Sequence, residues 1–496
     1  INKIFFIEIL SNIAEIEQKF EGGPGNKNFQ NLQILDENKN DIGRLLLTYI
    51  LTDNFDIDEY TVSKACAYLI SSMCQCCDYS FTDKIIQYYI NNISSNDPKI
   101  KFASFNIFRA ILDYKDKEKI YPIVIKSLGS LSEILLDQNT ILSVRKLISL
   151  IMKNIIKQFG NIIMKQEEIF GKFMDLFMTL IMTAPPEIKC IILSTINNIT
   201  NLIPSNQIMQ TNILSRHVKK YYEKLTILSQ KIELFNNDNN VPRQALYALG
   251  AISQHTANDC QNLSCETFKN ILNMFLSTLN INNFNDQEMR KRYQEYLCAT
   301  LSSFLLNKNA NENDVIILFE NVIKSFEQRN EIYEEGISLI GSISLFLETG
   351  FIKLMPKFSN TLLMGLNSVD SPSLCQKSIM CLSDIIIYLG ESFKDYVQIY
   401  FNVILNILSN PNVDKNLKPI CFNIISDLFL YSKNEIIPYF QKIMEVIGQA
   451  IEVSDIKLAE ENDQDTINYF ICLQEHIIET ITCIFRAIED NGHVEE

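Results

Sequence analysis

Asp97–Asp113 reads DPKIKFASFNIFRAILD, and Val144–Gly160 reads VRKLISLIMKNIIKQFG. Both open on a polar or basic turn and continue with apolar residues at i, i+3, i+4 and i+7, the spacing of one face of an α-helix. The same kind of segment recurs at Val241–Ser253 (VPRQALYALGAIS), Ile332–Leu347, Cys375–Gly390 (CQKSIMCLSDIIIYLG) and Leu417–Tyr431 (LKPICFNIISDLFLY). Working outward from these, the helices of this series start near residues 58, 97, 139, 185, 239, 285, 331, 371, 413 and 464. The successive gaps are 39, 42, 46, 54, 46, 46, 40, 42 and 51 residues. A recurrence at this spacing is the mark of a two-helix repeat.

A second helix falls between successive members of the series, often led by an aromatic residue or Pro. Tyr121–Leu136, Phe351–Leu366, Phe393–Leu408 and Ile437–Ile451 are examples. Gly350 and Gly390 stand where a helix must stop, and Asn96-Asp97-Pro98 is a tight turn with Pro set to open the next helix. Two helices that are apolar on both sides cannot bury themselves alone, so each pair must stack on its neighbours. The expected fold is all-α: an α-solenoid of about ten HEAT-type repeats, continuous over residues 1–496, with an extra half unit at Ile1–Phe20.

Composition agrees. The 496 residues include only 15 Gly and 12 Pro, about 5% of the chain against roughly 12% in average usage. A β-sandwich, a barrel or a βαβ enzyme needs more turn residues than that. Hydrophobic residues at 47% exclude a disordered polymer, and a net charge of −15 disfavours nucleic acid, which requires a basic face. No continuous apolar run reaches the ~18 residues of a membrane span, and the start lacks a signal-peptide pattern. The first residue is Ile1, without an initiator Met, and the chain reads as part of a longer protein. Thirteen cysteines without a regular framework suit free thiols in a cytosolic or nuclear protein.

Catalytic and cofactor signals are missing. His217, His255, His476 and His493 are isolated in sequence. Cys74-x-Cys76-Cys77, with Cys66 two turns earlier, has the wrong spacing for zinc and reads as core cysteines. Gly22–Lys27 (GGPGNK) lacks the Ser or Thr and the preceding strand of a phosphate loop, and reads as a linker. A non-enzymatic protein with no metal or cofactor is expected.

Charge is unevenly placed. Residues 452–496 hold twelve acidic residues against Lys457 and Arg486, and positions 452–465 read as an acidic inter-helix loop. A second acidic loop, at about 52–60, carries Asp53, Asp56, Asp58 and Glu59, followed by Tyr60. On a solenoid, acidity of this kind suits an extended basic partner.

Particular stretches then resemble the importin-β (karyopherin-β) family of nuclear transport receptors. They are Glu59–Cys77 (EYTVSKACAYLISSMCQCC) after the acidic loop, Gln294–Ser302 (QEYLCATLS), Glu334–Asn367, Pro411–Leu430 (PNVDKNLKPICFNIISDLFL) and Asp465–Ile488. Their order and spacing are similar to the family from about its seventh repeat to its seventeenth. The resemblance implies a superhelix that binds the arginine-rich segment of an importin-α-type adaptor, or a basic nuclear-localisation cargo. It also implies docking to Phe-Gly nucleoporins, release by the GTP-bound GTPase Ran, and residence in cytoplasm, nucleus and nuclear pore. The receptor would be monomeric by itself, without nucleic acid and without membrane insertion. In the resemblance, Asp53, Asp56, Asp58 and Glu59 match the family's acidic loop, with Tyr60 where the family has Trp. Pro98 and Leu150 stand at two further Trp positions of the family, and the chain has no Trp. Adaptor contacts would then rest on carboxylates, with Glu334, Glu335, Glu475 and Glu479 as candidates on the concave helices. The nucleoporin slots would involve helices near 312–327, 351–368 and 392–409. Asp384 and Asp427 recur at one point of successive units and read as structural. The alternative from another class is a HEAT-repeat scaffold, such as a phosphatase scaffold subunit, although the uneven gaps suit the receptor better.

Overall fold

The computed structural model describes residues 2–20, 34–52, 61–204, 210–232, 239–280, 286–460 and 463–489. Among them the secondary structure is helical throughout, with no strand. The ten helices of the recurring series begin at residues 62, 98, 142, 186, 241, 287, 334, 372, 417 and 464, each within four residues of the start read from the sequence.

Two compact units divide the chain: residues 1–205 with 231–248, and residues 206–230 with 249–496. In the first unit, one row consists of α1 (Asn2–Phe20), α4 (Val62–Cys76), α6 (Pro98–Ile111), α8 (Leu142–Met164) and α10 (Pro186–Asn201). The other row is α3 (Lys39–Tyr49), led in by the single turn α2 (Ile34–Glu37), then α5 (Tyr79–Asn92), α7 (Lys117–Leu136) and α9 (Glu167–Thr183). The boundary between the units falls within α12 (Val241–Gln254). The first row of the second unit, taken by itself, is α14 (Gln287–Leu306), α16 (Glu334–Leu347), α18 (Pro372–Leu389), α20 (Leu417–Tyr431) and α23 (Gln464–Glu489). Its second row is α11 (Ser215–Ser229), α13 (Gln261–Thr278), α15 (Glu312–Arg329), α17 (Met355–Leu366), α19 (Val397–Ser409) and α22 (Phe440–Glu460), the last after the single turn α21 (Lys433–Ile436).

Helix ends follow from local chemistry. Asp97 caps α6 by accepting from the Lys99 amide, with Pro98 at the first helical position. Gly390 ends α18 at φ +52°, in the left-handed region that favours glycine. After α16, however, the residue with positive φ is Glu348 (φ 50°), while Gly350 lies inside a 3₁₀ stretch, Glu348–Lys353. The stop expected at Gly350 thus comes two residues earlier. Lys308 Nζ holds the Glu348 carboxylate at 2.6 Å there.

Another difference concerns residues 452–460. They continue α22 instead of forming the acidic loop expected over 452–465. Ser454 is fully buried while Glu452 and Asp455 are exposed. An acidic run on the outer face of a helix has the same composition as an acidic loop.

The core is a chain of apolar layers between rows, including Phe105, Phe108 and Phe159 in the first unit and Phe304, Phe319 and Tyr400 in the second. Cys66, Cys74 and Cys77 belong to that core, and burial pushes the Cys74 thiol up to about 12. Two stretches, Leu142–Met164 and Glu334–Lys353, are long and apolar enough to cross a membrane. About half of each, 56% and 44%, is buried, so the apolar length serves packing against neighbouring helices.

In the second unit, first-row helices pack on each other more closely than second-row helices do. Small residues allow it. A Cβ on Gly250 would lie 3.0 Å from Ser303 Oγ, and one on Gly341 would lie 2.8 Å from Asp384 Oδ2. The hydroxyls of Ser302 and Ser342 touch. Ser383 Oγ donates to Asp427 at 2.5 Å, and Ser426 Oγ donates to Thr480 at 3.0 Å. A close row and a splayed row bend a stack, so the first row lines the inner side of this unit.

Candidate partner-binding surface

The acidic-loop residues Asp53, Asp56, Asp58, Glu59 and Tyr60 lie outside the described residues, as does Gly22–Lys27. The four glutamates expected on the inner helices are all described, in two clusters. Glu334 and Glu335 form the first turn of α16, and Glu475 and Glu479 sit one turn apart on α23. α18 and α20 come between those helices in the row.

At the start of α16, side chains from three successive repeats converge. A concavity of about 350 Å³ is lined by Glu295 of α14, by Glu331, Tyr333, Glu334 and Glu335, and by Ser371 and Leu374 at the start of α18. Its carboxylates are not equivalent. Arg329 is almost fully buried and gives one nitrogen to Glu295 at 2.8 Å and to Glu331 at 2.6 Å. Its guanidinium stacks 3.9 Å from the centre of the Tyr333 ring. Lys291 reaches Glu331 at 3.2 Å. Burial alone would lower the Arg329 pKa, yet the hydrogen bonds and charges of Glu295 and Glu331 raise it.

Glu334 and Glu335 remain. Among the described residues Glu334 accepts only a neutral hydrogen bond, from Ser373 Oγ at 2.6 Å. Glu335 has no ion-pair partner among the described residues. Burial, then the charges of Glu295 and Glu334, push its carboxyl above the usual range. A carboxylate disfavoured by burial and by like charges gains most from an added cation. Arg329 shows the means available here for holding a guanidinium: two carboxylates and an aromatic face.

The second cluster is more open. A concavity of about 480 Å³ between α20 and α23 is lined by Asp427, Glu479, Arg486, Asn423 and Ser426 among others. Glu475 is exposed one turn before Glu479. Asp384 and Asp427 are the wedges between successive inner helices described above, in line with their structural reading. Burial, then the neighbouring Asp427 charge, raises the Asp384 carboxyl to about 6.

Glu295 and Glu331 were not singled out from sequence. Periodicity does not pair them: α14 and α16 start 47 residues apart, and Glu295 lies two turns into α14 while Glu334 opens α16. Glu331 belongs to the turn before α16, where no periodicity applies.

The family is decided by a match over most of the chain. The model for importin subunit beta-1-like proteins, TPR repeats, fits residues 182–496. The chain belongs to that family. Importin subunit beta-1 of Saccharomyces cerevisiae is 20% identical over 443 residues, covering 87% of this chain and 49% of the yeast protein. The importin-β-like chain thus spans about half the length of that relative. Among solved structures, the Kap95:Nup1 complex superposes with a TM-score of 0.82 at 20% identity, covering 98% of this chain and 56% of the other. A structure in which Kap95p induces the GTP-bound switch-loop conformation in RanGDP gives a TM-score of 0.70 at 20% identity, covering 98% and 57%. At this identity the likeness establishes a shared fold, the helical-repeat solenoid of importin-β.

Proposed function

We propose that this importin-β-like chain works as a nuclear transport receptor, without catalysis, moving between cytoplasm and nucleus through the nuclear pore. Its ligand is the arginine-rich segment of an importin-α-type adaptor, or a basic cargo, held on the acidic inner face from α16 to α23. The observation that carries this reading is the pocket at the start of α16, where Glu334 and Glu335 make no ion pair among the described residues, Lys377 acting on Glu335 only at longer range, beside a working guanidinium clamp. Glu475 and Glu479 extend the acidic surface, and Asp53, Asp56, Asp58 and Glu59, with Tyr60, supply a second contact. Planar bidentate pairing of carboxylate with guanidinium suits arginine over lysine.

Docking to Phe-Gly nucleoporins is proposed for slots between second-row helices. A groove of about 370 Å³ where α19 and α22 meet α20 and α23 has the required apolar character, with Leu405, Leu408, Phe422, Val446, Ala450 and Phe470 along its walls. The complexes of Kap95 with Nup1 and with RanGDP support assigning nucleoporins and Ran as partners. A release assay tests the proposal. The chain is immobilised, loaded with a labelled arginine-rich adaptor segment, and washed with GTP-bound or GDP-bound Ran. Retention of the adaptor segment with Ran-GDP and its loss with Ran-GTP is expected; failure to load the segment at all overturns the reading.

A further inference from the structure

The first rows of the two units differ in charge. Helices α16, α18, α20 and α23 together hold eight acidic and three basic residues, whereas α6, α8 and α10 hold one acidic and eight basic. In the first unit this excess is confined to the first row, since α5, α7 and α9 carry six acidic and five basic residues. Charge kept only for solubility has no reason to sort by row. The acidic excess therefore holds for α16–α23 and reverses on α6–α10.

On α8 the basic residues are in register. Lys146, Leu150, Lys153 and Lys157 fall at i, i+4, i+7 and i+11, on the side of the helix left partly or fully open while Leu147, Ile148, Ile151 and Ile155 are buried. Lys153 Nζ crosses to α10 and donates to Ser194 Oγ at 2.8 Å, a neutral partner. Beside Ser194, the half-buried Asn198 and Cys190 continue the face without charge. Lys101 and Arg109 on α6 are half-buried on the other flank. Lys189 on α10 is pushed below the usual ammonium range by burial and then by Lys231, so its surroundings are already positive.

We propose that this stripe is a second docking surface, and that it takes an extended acidic peptide segment. Charge complementarity selects the sign. Spacing selects the form: Lys146 to Lys153 is about 10 Å along the helix and Lys153 to Lys157 about 6 Å. An extended chain advances about 3.3 Å per residue, so acidic side chains two to three positions apart match the lysines. The apolar Leu150 and the neutral Ser194 and Asn198 suit a peptide better than a polyphosphate backbone. The proposal is independent of the acidic pocket at α16.

Fluorescence anisotropy on the full chain tests it, with a labelled peptide carrying glutamate at every second or third position of a Gly-Ser background. Binding that weakens with salt is expected, and Lys146→Glu/Lys153→Glu/Lys157→Glu should weaken it at least about tenfold. An arginine-rich peptide should bind that variant no more weakly than it binds the parent. If charge reversal costs the variant its helicity, Lys146→Gln/Lys153→Gln/Lys157→Gln reads the same loss. No binding of the acidic peptide, binding unmoved by either variant, or tighter binding of single-stranded RNA or phosphatidylserine vesicles overturns the proposal. A failed arginine arm with an intact acidic arm overturns the reading of the second unit alone.

Discussion

Replacing Arg329 with Met separates what this residue does for the fold from what it does for the ligand surface. The guanidinium side chain is only 4% exposed, and it joins Glu295 of α14 to Glu331 before α16 while stacking on Tyr333. Met keeps much of the volume and removes the charge. Breaking a fully buried pair by deleting one partner costs about 3–5 kcal/mol, because the other charge is stranded. Here the stranded carboxylates are 26% and 43% exposed, so water takes over part of the solvation. That halves the figure to about 2 kcal/mol, and loss of the cation–π contact adds about 1 kcal/mol. Long repeat arrays do not unfold in one step, so a single melting temperature is a poor readout. Amide exchange resolved over α14–α16 is the suitable assay, and a loss of about 3 kcal/mol is roughly a hundredfold rise in opening. At the same time Glu295 loses its cation and Glu331 keeps only Lys291, so the pocket becomes more acidic. R329M should therefore exchange faster at α14–α16 and bind an arginine-rich peptide at least as tightly as the parent. Unchanged exchange, or peptide binding lost in step with stability, would refute the view that Arg329 is an internal occupant of a guanidinium site.

Three further outcomes follow from the structure. Asp384 has a carboxyl raised to about 6, so the folded chain binds this proton more tightly than the unfolded chain does, and stability must fall as pH rises from about 4 to about 6. Discounted for its partial exposure, the effect is about 2 kcal/mol; D384N should flatten it and protect α16–α20 at pH 7, and faster exchange in D384N at that pH would contradict the wedge reading. Gly336→Ala should destabilise α16 by about 1–3 kcal/mol despite the better helix propensity of Ala, because the new Cβ would lie 2.6 Å from Phe326 and 2.9 Å from Tyr333; a stabilised variant in denaturant titration would show that those rings yield. Charge reversal of Asp53, Asp56, Asp58 and Glu59 should weaken adaptor binding or alter release by Ran-GTP, and unchanged behaviour in the release assay would reduce that segment to a linker.

Much of the fold was legible because a helix row writes its own period. The apolar spacing of Phe102–Ile111 or Leu417–Leu428 fixes both the helix and its two buried sides, and the repeat period then fixes the stacking. The ends were harder. Glu348 adopts a left-handed conformation that nothing in its residue type announces, and the polar face of α22 at Glu452 and Asp455 is written like a loop. Site legibility divided in the same way. Glu334 and Glu335 stand out as paired acids in a first helical turn, but their meeting with Glu295 and Glu331 depends on the register between repeats, which only tertiary packing sets. The lysines of α8 were hidden by a different cause: a net charge averaged over both rows and both units cancels a face whose sign is opposite to the total.

Glu334 and Glu335 are the proposed arginine-binding carboxylates of this importin-β-like chain. The most direct measurement is the affinity of an arginine-rich adaptor peptide for the parent chain and for Glu334→Gln/Glu335→Gln, across a salt series. Removing two partly buried charge partners should weaken binding by about tenfold to a hundredfold and make the salt dependence shallower. Equal affinity and equal salt dependence in parent and variant would contradict the account.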